Sequence, residues 1–137
     1  MLHLIKLAVG IRDPAHLAEV QAGRTARDGY IRHTTRQYPK RSQELLEGGS
    51  LYWVIGGVVR VRQKLAALEP AVREDGVACT ALVLVPGLVR VAARPVRAFQ
   101  GWRYLRAEDA PADATGGGVE MDLPEALRRE LQELALL

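Results

Sequence analysis

Tyr52 and Trp53 stand side by side between two glycine pairs in GGSLYWVIGG, residues 48 to 57, in a chain of 137 residues with only 5% aromatics. Consecutive residues on a β-strand point to opposite faces, so at most one of these rings can enter a given core. Trp53, with Leu51 and Ile55, is expected to face the core and Tyr52 a groove. All seven aromatics fall within residues 30 to 53 and 99 to 104, and both windows are rich in arginine. On extended backbone Tyr30, Arg32, Thr34, Arg36 and Tyr38 share one face; Trp102 and Tyr104 share another, with Arg103 opposite. Rings interleaved with guanidinium groups make a stacking platform for unpaired bases, each stacked base contributing roughly 1–3 kcal/mol. The expected nucleic-acid-binding set is therefore Arg32, Arg36, Lys40, Arg41, Tyr52, Arg60, Arg62, Trp102, Arg103 and Tyr104. The competing expectation is that the large rings fill a core and arginine lines its outside.

Other chemistry is sparse. Lys40 and Glu44, four apart, are the only candidates for a catalytic acid/base pair, and on a short helix the same spacing makes a solvated ion pair. His3, His16 and His33 lie far apart without acidic or cysteine neighbours at ligand spacing, so no metal site is expected. Ser42 and Ser50 belong to no GxSxG turn, and Gly116 to Gly118 lack the lysine and the preceding strand of a phosphate loop, so the run reads as a connector. No cofactor is expected. Cys79, the single cysteine, lies in the apolar run VACTALVLV, the setting of a buried, inert thiol in a reducing cytoplasm. Lys6 interrupts the apolar start, so neither a signal peptide nor a spanning helix is expected there. Residues 1 to 107 hold 17 Lys/Arg against 8 Asp/Glu, whereas residues 108 to 137 hold 2 against 8. The basic body points to a polyanionic partner, and most of its cations are arginine, whose planar fork suits phosphate.

The elements that must position these groups follow from pattern. LHLIKLAVG reads as a strand; Asp13 caps a helix with Pro14 in its first turn, ending near Gly23 or Gly29. YIRHTTRQY is a strand, PKRSQELLEGG a short helix, and SLYWVI the strand that leaves it. VVRVRQK alternates Val59 and Val61 with Arg60, Arg62 and Lys64, predicting one buried and one solvated face. EDG at 74 to 76 is a turn, ACTALVLV a central strand, LVRVAARPVR a strand ending at Pro95, and FQGWRYL a last one. Residues 107 to 119 read as loop; over 122 to 137 a capping box at Asp122 and Glu125 opens a docking helix with Leu123, Leu127, Leu131 and Leu134 on one stripe. The expectation is a single α+β domain over 1–137, with a small curved or barrel-like mixed sheet, two short helices in its first half and a C-terminal docking helix.

Two stretches, YPKRSQELLEGGSLYWVIGGVV and RAFQGWRYLRAEDAP, resemble an alphaproteobacterial family known as domain of unknown function 1489. PKRSQELLEGGSLYWVI also has a weaker likeness to PUA-like barrels of the ASCH branch, which implies that architecture and a leaning towards RNA. ASCH domains show GxKxxExR after the helix; Gly49, Leu51, Trp53 and Val54 stand in that region here, so no catalytic set carries over. The expected function is a binding module for RNA or a modified nucleotide. A small ASCH-like hydrolase of nucleosides or RNA, and a protein-interaction domain using the C-terminal helix, are the alternatives.

Overall fold

The computed structural model describes residues 1–114; the expected C-terminal helix, its leucine stripe and the run Gly116 to Gly118 lie outside the described residues. In chain order the elements are β1 (Leu2–Leu7), α1 (Pro14–Asp28), β2 (Ile31–Thr35), α2 (Ser42–Leu46), β3 (Ser50–Ile55), β4 (Val58–Val72), β5 (Ala78–Leu84), β6 (Val89–Pro95) and β7 (Trp102–Arg106). A single 3-10 turn, Ala107–Asp109, follows. α1 starts as its sequence dictates: Asp13 accepts the His16 N–H at 2.8 Å, and Pro14 needs no backbone partner in the first turn. It runs through Gly23 and stops at Gly29, whose φ of 84° closes the helix with an N–H bond to the Thr25 carbonyl.

Seven strands form one mixed sheet in the order β2-β5-β4-β3-β1-β7, with β6 beside β4. Only β1 and β3 run parallel; the other pairs are antiparallel. The sheet is open rather than closed into a barrel, because β2 pairs with β5 alone and β7 with β1 alone, leaving both as edges. β4, fifteen residues long, pairs with β3 and β6 along its first part and with β5 along the rest. Register shifts between Val59 and Val61 and between Leu65 and Ala67 bend it.

The first of those shifts overturns the expected alternation. Val59 and Val61 do not share a face: Val61 packs with Leu4, Leu51, Trp53 and Leu65 under α1 and α2, whereas Val59 packs with Ile5, Tyr52, Val54, Val91 and Leu105 on the other side. An extra residue at Arg60 re-aims everything after it, because side chains alternate with period two. Both sheet faces are therefore covered. Trp53 is 1% exposed and Tyr52 4%, so both rings are buried, each in its own core. Burial of one such side chain contributes about 1.5–3 kcal/mol, which explains a strand interior with no exposed residue from Ser50 to Ile55.

The first core contains an amide network. Gln63, fully buried, exchanges two hydrogen bonds with Gln21 of α1, at 2.7 and 2.9 Å, accepts Trp53 Nε1–H at 3.2 Å and donates to the Val85 carbonyl at 3.0 Å. It thus pins helix, β3 and the end of β5 together. Gly49 is required for a different reason: a Cβ there would stand 2.3 Å from the Leu45 carbonyl oxygen and 2.4 Å from that of Leu2. The chain between α2 and β3 passes so close to β1 that no side chain fits.

Candidate functional site

The expected platform divides between the faces of the sheet. Trp102 and Tyr104 do share one face, ring centroids 4.9 Å apart and edge to face. Both are half-buried against the first core, and both brace the segment between β2 and α2: Trp102 Nε1 donates to the Gln37 carbonyl at 2.9 Å, and Tyr104 Oη accepts the Arg41 N–H at 3.1 Å. The Arg41 guanidinium lies 5.7 Å from the Tyr104 ring centroid. Arg103, opposite, covers Phe99 at 4.7 Å. Arg36 and Lys40 are exposed, and Arg32 is exposed beside Tyr30 at 5.9 Å. Tyr52 and Arg62 are on the other face, in register with each other, and Arg60 is the half-buried bulge residue.

The expected Lys40–Glu44 pair does not form. α2 begins at Ser42, so Lys40 precedes the helix and lacks the i,i+4 geometry; Glu44 is taken by Arg41, at 2.6 Å, and that bond holds its carboxyl below the usual range.

A pocket that no motif announced lies beneath α1, where β1 ends. It has a volume of about 230 Å³ and presents Lys6, Arg24, His33 and Thr34 beside the Trp53 ring. Lys6 stands in register between Trp53 on β3 and Trp102 on β7, so the three residues occupy one row of the sheet. His33 meets Trp53 edge to face at 4.7 Å, and Arg24 reaches across from α1 to His33 and the Arg32 carbonyl. Burial first, then the charges of Arg24 and Lys6, hold the His33 pKa down to about 4, so the ring is neutral at pH 7. Burial also lowers that of Lys6. No carboxylate lines this pocket among the described residues, and Lys6 makes no side-chain hydrogen bond or ion pair there. Two cations drawn partly out of water without a counter-charge favour an anion from solution. The signal for it was Lys6 itself, a lysine in an apolar strand; that Arg24 and His33 join it is a matter of how α1 crosses the sheet.

Among the described residues no group of three or more His, Cys, Asp and Glu side chains is placed to hold a metal ion, and no helix is long and apolar enough to cross a membrane. Cys79 is buried and free. The chain matches, over residues 4–137, the model of a family described as protein of unknown function (DUF1489), and it belongs to that family. No curated protein and no solved structure matches it.

Proposed function

We propose that this chain is a binding module for RNA or a nucleotide, in which the pocket under α1 takes a phosphate through Lys6 and Arg24 and the half-buried ring of Trp102, next in the same row, receives a base. One observation carries the reading: Lys6 lies between Trp53 and Trp102 in register and faces a pocket with no carboxylate among the described residues. A phosphate oxygen there gains charge-assisted bonds from the ammonium and the guanidinium fork, and Thr34 adds a hydroxyl. Arg32 and Arg41, exposed on neighbouring segments, would extend the contact along a strand's backbone.

Fluorescence anisotropy with a short labelled single-stranded RNA, between about 50 and about 200 mM salt, tests it. Affinity should fall steeply with salt, and Lys6→Met, which keeps the apolar stem, should weaken binding about tenfold and flatten the salt slope by about one phosphate contact. Binding that is absent at low salt, insensitive to salt, or untouched by Lys6→Met would defeat the proposal.

A further inference from the structure

On the opposite face of the sheet a second cavity, about 420 Å³, is bounded by His3, Ser50, Tyr52, Arg62 and Asp113, with Met1 among its apolar walls. The Arg62 guanidinium grips Asp113 with two bonds of 2.7 Å and gives a third, of 3.1 Å, to Ser50 Oγ. This charge is thereby cancelled within the wall. The Ser50 N–H donates to His3 Nδ1 at 3.0 Å, which places the proton of the neutral imidazole on Nε2. Burial, Arg62 and the N-terminus lower the His3 pKa, in keeping with that neutral form. His3 is 6% exposed and Tyr52 4%, yet neither His3 Nε2 nor Tyr52 Oη has a hydrogen-bond partner among the described residues. Ser50, 1% exposed, accepts from Arg62 and still has its own hydroxyl proton to give.

Buried polar groups left unpaired are costly and rare, and here two of them line one cavity. They offer donors beside Asp113, whose oxygens retain lone pairs for an acceptor role. We propose that this cavity binds a small neutral cyclic amide, its carbonyl accepting from Tyr52 and His3 and its adjacent N–H donating to Asp113. The paired charges of Arg62 and Asp113 leave no uncompensated cation to select an anion, which separates this site from the pocket at Lys6. Tyr52 and Trp53 face opposite ways, so the two sites are on opposite sheet faces and neither reading depends on the other.

The test is an NMR titration of the full chain with uracil. Backbone amides of Ser50, Tyr52 and Arg62 should shift saturably while those of Lys6 and His33 stay still. The same concentrations of 1,3-dimethyluracil, which keeps the carbonyls and loses both N–H groups, should give no saturable shift. Tyr52→Phe retains the buried ring and should weaken uracil binding about tenfold; should that variant fail to fold, the comparison of uracil with 1,3-dimethyluracil on the native chain decides. Absence of a saturable uracil shift, equal binding of the dimethylated compound, unchanged affinity in the folded variant, or shifts at these amides with inorganic phosphate would each overturn the proposal.

Discussion

Arg24 of α1 and His33 of β2 meet with Arg24 Nη1 3.2 Å from Nδ1 and 3.4 Å from Nε2 of the imidazole. An arginine can only donate, so the histidine must accept, and it can accept only while neutral. The folded state therefore excludes a proton that the unfolded chain takes up near its ordinary pKa of 6.5, whereas the folded pKa is about 4. Between those values the unfolded chain binds more protons, so stability is complete above about pH 6.5 and falls as pH drops towards 4. The loss should be about 1–3 kcal/mol from this residue. Urea denaturation at pH 7 and pH 4.5 measures it, and His33→Gln should shrink the difference without abolishing it, because His3 shifts in the same direction.

Anion binding should run the other way on the same group. A phosphate in the pocket offsets the charges of Arg24 and Lys6 that oppose protonation, so it raises the His33 pKa, and binding takes up protons. Affinity for RNA should increase on acidification from pH 7 to pH 5.5 in the native chain and less so in His33→Gln. Equal pH profiles for the two would separate His33 from the ligand.

Gln63 supplies a strong stability prediction. Replacing it with leucine leaves the Trp53 N–H and both ends of the Gln21 amide without partners in the core, at roughly 1–3 kcal/mol per orphaned group. Gln63→Leu should lower stability by about 3 kcal/mol or more, and adding Gln21→Leu should recover part of that loss. The pair is thus expected to be non-additive in a double-mutant cycle.

Among the described glycines, Gly49→Ala should be the most damaging substitution, since backbone oxygens on both sides block it. A loss of about 3 kcal/mol or of cooperative melting is expected. By contrast Gly23→Ala, in the middle of α1 with open space around it, should stabilise by about 0.5–1 kcal/mol.

Trp102 separates packing from stacking. Trp102→Phe keeps a ring against Tyr104 but loses the bond to the Gln37 carbonyl, costing about 1 kcal/mol in a thermal melt. RNA affinity should survive that change and drop about tenfold in Trp102→Ala, if a base stacks there.

The local grammar of the chain was legible from its residues. Asp13 and Pro14 start a helix because their side chains supply what a first turn lacks, and Gly29 stops it because it tolerates the left-handed backbone that ends it. The short helix before β3, the turn at 74 to 76 and the strand character of SLYWVI rest on equally local causes. Only the family membership came from longer stretches of pattern. What the tertiary structure decided were the relations that a period of two cannot carry across a bulge or between strands. One extra residue at Arg60 sends Val59 and Val61 to different cores and turns Arg62 towards Tyr52 and Asp113. Tyr52, expected in a groove, is buried because the sheet is covered on both faces. Lys6, Arg24 and His33, 18 and 9 residues apart along the chain, become one pocket only when α1 packs back onto the sheet. Such a cluster has no sequence motif, because the spacing that matters is set by helix-on-sheet packing rather than by the distance between residues along the chain.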